Sequence, residues 1–251
     1  MEKILFVLVI LGVALWLFLV RQKTVNAPVI IPPRQSDIGV SPTTVPENKL
    51  PENKKPITEQ NVLLDVPFIV QAPRHNWKDP VYQNACEEAV VLMAMRWVQG
   101  KPLSSEEAFV EIQKISDFSK AHYGFYLDQS AEDLTKLMRD YFQYSNVRYQ
   151  AKIETADIKN ELSKGNLVLV PVNGQKLGNP YFTQPGPTEH MLLIKGYDVK
   201  TDEFITNDPG IGKGNGYRYK ESVINGALQE YPSGYRGKII EIKKVMIVVM
   251  K

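Results

Sequence analysis

Among 251 residues there is one cysteine, Cys86, and there are three histidines, His75, His122 and His190. A single cysteine excludes an internal disulfide and a multi-cysteine zinc site. No two of these four residues stand at metal-ligand spacing, so no metal and no cofactor are expected. Long basic runs are missing as well. The 30 Lys and Arg nearly balance the 28 Asp and Glu, for a formal charge of +2, which gives nucleic acid no electrostatic footprint to bind. The alternating glycines Gly210, Gly212, Gly214 and Gly216 lack the GxxxxGK[ST] spacing of a phosphate loop. No nucleotide partner is therefore expected, and the stretch reads as a flexible loop. With 43% hydrophobic and 23% charged residues, the chain is neither wholly disordered nor fibrous.

Two segments stand out before the main body. Residues 4–20, ILFVLVILGVALWLFLV, form a run of 17 uncharged residues flanked by Lys3 and Arg21. That is near the lower limit for crossing a bilayer. A membrane anchor over residues 1–23 is expected, with a cleaved signal peptide as the alternative. The bulk of the chain is expected to be extracytoplasmic, with the membrane as a partner through this helix. Residues 24–60 contain seven of the 17 prolines, no aromatic residue, and PENK at both 46–49 and 51–54. Such a segment buries too little apolar surface to order and reads as a semi-stiff, disordered tether. In polyproline form it would reach on the order of 100 Å. Residues 61–251, in which no internal repeat is visible, are expected to form one domain.

Within that domain, residues 62–70 read as a short strand region broken near Pro67. Residues 85–99 read as a helix stopped by Gly100. Ser104 with Glu107 makes a capping box, and Ser130 with Asp133 a looser one. Thr155 is positioned to cap residues 156–164, with Gly165 as the C-terminal stop. Residues 166–173, 190–197, 203–207 and 238–250 are rich in β-branched and apolar residues and read as strands. Helices first and strands afterwards predict an α+β fold with a largely antiparallel sheet.

Cys86 falls at the start of the helix in NACEEAVVLMAMRWVQG. Unpaired N–H groups and the helix dipole lower a thiol's pKa there, while the carboxylates of Glu87 and Glu88 raise it. A buried structural cysteine is the alternative reading. A thiolate nucleophile needs a histidine base oriented by a third polar group. His190 opens a predicted strand, and Asp208 follows 18 residues later at an Asp-Pro-Gly turn. A strand, a turn and a return strand can bring the two together, with Asn207 as the neighbour able to do the same. Tyr181 and Phe182, just before His190, suit either a cleft wall or the core. His75 and Trp77 are candidates for its rim, and His122 has no visible partner.

The segments LDVPFIVQAP, NACEEA opening a helix, EHMLLIKGYD and ITNDPG resemble the papain-like cysteine peptidases of the double-glycine leader, or bacteriocin-processing, type. The resemblance is closest to stand-alone members without a fused transporter and covers roughly residues 63 to 215. It implies a papain-like fold and a Cys86–His190–Asp208 triad acting on a peptide or protein through a thioester. It also implies Gln71 as an oxyanion donor. Two features depart from the pattern. The stretch between Gln71 and Cys86 is longer than usual, which makes Gln83 a rival donor. Glu87 replaces the glycine that usually follows the cysteine in transporter-fused members. Glu87 is therefore expected to set the shape and charge of the pocket and, with Tyr181 and Phe182, to meet the substrate. A non-catalytic peptide-binding module and a cell-wall amidase or transglutaminase-like acyltransferase are the alternative functions.

Overall fold

A computed structural model describes residues 60–235 and 237–251. The expected anchor over 1–23 and nearly all of the tether over 24–60 lie outside the described residues. Among the described residues no helix is long and apolar enough to cross a membrane.

The described residues open with a two-residue strand β1 (Val62–Leu63), followed by the short helix α1 (Pro80–Gln83) and then α2 (Cys86–Gln99), α3 (Ser105–Tyr123) and α4 (Ala131–Asp140). After these come β2 (Val147–Ala151), α5 (Thr155–Ser163), β3 (Leu167–Val172), the single turn α6 (Gly174–Leu177), β4 (His190–Asp198) and β5 (Glu203–Asn207). The chain closes with β6 (Asn215–Lys220), α7 (Glu221–Ala227) and β7 (Val245–Val249). The seven strands form one antiparallel sheet in the order β2-β7-β3-β4-β5-β6, with β1 paired to β4.

The helix α2 is buried nearly all round, from Cys86 to Trp97. A helix without a polar face belongs inside a protein, and this one is the central rod of the first core. Ala89, Leu92 and Met93 pack there with Leu134 and Met138 of α4 and with Leu169, Met191 and Ile247 of the sheet. The alternate residues Val168, Val170, Leu192 and Val248 point to the opposite face, where α5 and α7 cover them with Ile158, Leu162 and Ile224. The period-2 geometry of a strand thus divides β3, β4 and β7 between two cores. Both faces of these strands are covered, which explains why they read as continuous apolar runs rather than alternating ones.

Several expectations hold in detail and others need correction. Ser104 and Glu107 form the full capping box of α3, and the Ser130 side chain accepts from the Asp133 N–H. The N-cap of α5 is Glu154 rather than Thr155, because Glu154 reciprocates with Asp157. Of residues 62–70 only Val62–Leu63 pair as a strand. Of 238–250 only Val245–Val249 do. β2 was not anticipated, since VRYQA carries charge and is only partly buried beside β7. The end of the glycine-rich stretch is also a strand, with Tyr217 and Tyr219 of β6 opposite Thr206 and Phe204.

Candidate active site

The local sequence places Cys86 at the first turn of α2, behind Ala85 as N-cap. Its side chain lies against the sheet: the Met191 N–H, next in the chain to His190, bonds to the thiol. Cys86 Sγ donates to Glu87 Oε2 at 3.0 Å. The residue is 6% exposed. Burial first, then the charge of Glu87, push the thiol well above its ordinary value, and the Met191 N–H works in the opposite direction. Of the two opposing influences visible in the sequence, desolvation and the neighbouring carboxylate outweigh the helix terminus, and the resting thiol is neutral.

His190 and Asp208 meet as the hairpin idea requires. Pairing Leu193 with Asn207 brings the start of β4 beside the end of β5. His190 Nε2 lies 2.8 Å from Asp208 Oδ1, with the two side chains 2% and 0% exposed. An ionised carboxylate only accepts, so Nε2 carries the proton and Nδ1 is the nitrogen left for other chemistry. Asp208 is itself held by three donors. Besides His190, Gly210 N–H donates to Oδ1 at 3.0 Å and Tyr219 O–H to Oδ2 at 2.7 Å. Asn179 Nδ2 in turn donates to the Tyr219 oxygen at 2.6 Å. Burial, then the charge of Asp208, raise the Tyr219 hydroxyl, so it stays a donor. Asn207, the other candidate partner, instead donates to the Pro67 carbonyl at 3.1 Å and accepts from Gly216 N–H at 3.3 Å.

Gln71 lines the same cavity as Cys86 despite the long intervening stretch. That stretch loops out and returns through α1, anchored where Tyr82 stacks on Phe109 at 4.9 Å. Gln71 Nε2 donates to the carbonyls of Gln83 at 2.7 Å and Tyr82 at 3.3 Å. The Gln71 N–H bonds Pro209 O at 2.9 Å, tying this segment to the Asp-Pro-Gly turn. Gln83 holds an exposed side chain at the same cavity.

The glycine loop is a close-fitting collar. A Cβ on Gly210 would lie 3.0 Å from the His190 ring, and one on Gly214 would lie 1.8 Å from Asp208 O, whereas one on Gly212 meets nothing. Gly214→Ala should therefore cost about 3 kcal/mol by overpacking, while Gly212→Ala is nearly neutral. Paired denaturant melts of the two variants check this.

These groups open on a cavity of about 570 Å³. Cys86, His190, Gln71, Gln83, Trp77 and Asp128 line it, together with Tyr181 and Phe182. Phe182 stands edge-on to the His190 ring, with centroids 5.3 Å apart. Tyr181 is about half exposed at the mouth. Glu87 corrects an expectation: it is 1% exposed and absent from the lining, because its carboxylate turns inward to Cys86 and to Tyr231 O–H at 2.7 Å. His75 is exposed and also not in the lining. His122 has a partner after all, stacked on Phe118 one turn away at 3.8 Å. Among the described residues no group of three or more His, Cys, Asp or Glu is placed to hold a metal ion.

Tyr219, Asn179 and Tyr231 escaped the sequence reading. β6 was not recognised as a strand, so nothing aimed Tyr219 at the hairpin. Tyr231 lies 144 residues from Glu87, beyond any local pattern. Two acids beside it, buried Glu87 and half-buried Glu230, carry a pH signature. Burial is the main cause raising Glu230 from the usual 4.5 to about 7 and Glu87 to about 6. Both carboxyls bind their proton more tightly folded than unfolded. Their stabilising contribution is complete below about pH 4.5 and is lost as pH rises through these values. Glu230→Gln should flatten the fall in melting temperature between about pH 5 and pH 8.

A helix-borne thiol and a strand-borne imidazole–carboxylate pair on one cavity define the layout of a papain-like α+β protein. A family model described as the Peptidase_C39 like family matches residues 63–235, and the chain belongs to that family. A crystal structure from Bacillus anthracis, of a protein provisionally assigned as a C39-like peptidase, is similar at a TM-score of 0.50 and 14% identity. The match covers 77% of this chain and 99% of that one. At that identity the likeness concerns the fold. No curated protein matches the chain.

Proposed function

We propose that the protein is a cysteine peptidase in which Cys86 attacks a peptide carbonyl, His190 carries the proton and Asp208 orients His190. The observation that carries this reading is the buried His190–Asp208 pair, whose histidine lines the same cavity as Cys86. The Sγ proton passes to His190 Nδ1 as sulfur bonds to the carbonyl carbon. The oxyanion is met by the Cys86 N–H at the helix start and by a glutamine amide, each donor worth about 2.7–4 kcal/mol. Gln71 would supply that amide by releasing its longer bond to Tyr82, and Gln83 is the alternative. The tetrahedral species collapses, the C–N bond breaks and the leaving amine takes the proton from His190. Water, deprotonated by His190, then cleaves the thioester, and the thiol is restored.

A second reading, a peptide-binding module without turnover, is favoured by one observation: the resting thiol is bonded to Glu87 rather than left free. The apolar run at residues 4–20 and the proline-rich stretch after it support placing this domain at a membrane, on its outer side. The test is to incubate the full-length chain, in detergent, with a proteome-derived peptide library and to sequence new termini. Cleavage at a defined set of bonds, absent with Cys86→Ala, is expected. Unchanged peptides that are nevertheless retained by both proteins would establish the binding module instead.

A further inference from the structure

Glu87 is a buried carboxylate that the proposed chemistry does not use, and it stands in direct contact with the proposed nucleophile. Oε2 accepts the Cys86 thiol at 3.0 Å, and Oε1 accepts Tyr231 O–H at 2.7 Å. Cys86, Glu87 and Tyr231 are all buried, so neither bond competes with solvent. We propose that Glu87 is a positioning residue that regulates Cys86: ionised, it holds the thiol proton and keeps the nucleophile silent, and protonated, it releases that proton to His190. This inference rests on the peptidase reading of Cys86.

The chemistry of the contact sets its direction. With Glu87 ionised, forming the thiolate would place two negative charges 3.0 Å apart in a buried site, which is strongly disfavoured. When one proton from solvent binds Glu87, Oε2–H becomes a donor to sulfur. The thiol proton then moves to His190 Nδ1, leaving a thiolate–imidazolium pair with one donor more. Only S–H, N–H and O–H bonds change.

The surroundings favour uptake of that proton. Glu88 on α2, Asp128 before α4 and Tyr231 after α7 are the titratable groups around Glu87, alongside Cys86 itself, and Glu230 acts in turn on Tyr231. Glu88 Oε1 accepts from Ser116 Oγ and Gln129 Nε2, each at 3.2 Å, while its Oε2 is buried with no partner. No lysine or arginine appears among the residues lining the cavity. Burial is the main cause raising both Glu87 and Cys86; the charge of Glu87 raises the thiol further, while the bonds from Cys86 and Tyr231 work the other way on Glu87 and are outweighed by burial.

Glu87→Gln imitates the protonated acid, because Tyr231 O–H fixes the amide oxygen at the Oε1 position and turns the amide N–H₂ toward sulfur. The experiment follows iodoacetamide alkylation of Cys86 against pH by intact mass, on the full-length chain. Four proteins are compared: the parent, Glu87→Gln, Tyr231→Phe and His190→Ala. Glu87→Gln should alkylate about tenfold faster or more at neutral pH, the equivalent of one unit in the thiol's pKa. The parent should gain reactivity as Glu87 protonates on the acidic side of neutrality, and Glu87→Gln should lose that acid limb. Tyr231→Phe, which leaves Glu87 one donor short, should move the limb to higher pH. A merely structural Glu87 would change melting temperature and leave the pH profile in place. A Glu87→Gln profile matching the parent, in a folded protein, overturns the proposal. Profiles that respond to Glu87→Gln but are untouched by His190→Ala would leave Glu87 as a brake on the thiol and remove the peptidase reading.

Discussion

Asp208→Ala is expected to lower kcat/KM about 10²–10⁴-fold, the range in which a positioned proton carrier acts. In the proposed mechanism Asp208 fixes the proton of His190 on Nε2, which leaves Nδ1 to act as the base. Without the carboxylate the imidazole can take either tautomer and turn, and the imidazolium formed during attack loses its counter-charge. Stability should fall as well. The substitution strands the buried Tyr219 hydroxyl and the His190 N–H, at about 1–3 kcal/mol for each group left unpaired. Asp208→Asn separates the two roles. Its amide oxygen still accepts from His190, while its N–H₂ requires Tyr219 to turn and accept. Asn should therefore retain much more activity than Ala. Steady-state kinetics on any peptide found by the library screen, with thermal melts of the same proteins, measure both effects.

Cys86→Ala should remove turnover altogether, a loss on the order of 10⁶-fold when a nucleophile acting in concert with its base is deleted. The fold should persist, since alanine suits both the first turn of α2 and its buried setting. Cys86→Ser keeps a donor toward Glu87 and should be the better structural mimic, equally poor as a catalyst. A Cys86→Ala protein that still cleaved the library peptides at the parent's bonds would mean that another residue is the nucleophile.

Much of the site was legible because its parts are local. Cys86 at a helix start, His190 at a strand start and Asp208 at a turn each carry a short-range signal, and an 18-residue separation is what a hairpin can close. The central helix, the capping box of α3 and the strands β3, β4 and β5 were visible for the same reason. What was lost depends on contacts between distant segments. β2 and β6 pair beside partners that no local pattern names. The Tyr231–Glu87 bond spans almost the whole domain. Glu87 itself was seen, but as a pocket residue. Its position one step after Cys86 could not tell whether the side chain turns outward to substrate or inward to the core, and packing against Tyr231 decides for the core. The glycine stretch was read as flexible because glycine permits mobility. Gly210 and Gly214 are required instead by the close approach of the chain to His190 and Asp208.

The most direct test of a Cys86–His190 peptidase centre is mechanism-based labelling. The full-length chain is treated with peptidyl vinyl sulfones of randomised sequence, and the adduct is mapped by mass spectrometry in the parent and in His190→Ala. Addition to the vinyl group requires both a thiolate and a proton delivered to the adjacent carbon. The expected result is a single adduct on Cys86 whose rate of formation falls at least about 10²-fold in His190→Ala. Equal labelling of the two proteins, or no adduct on Cys86 at any pH, would contradict it.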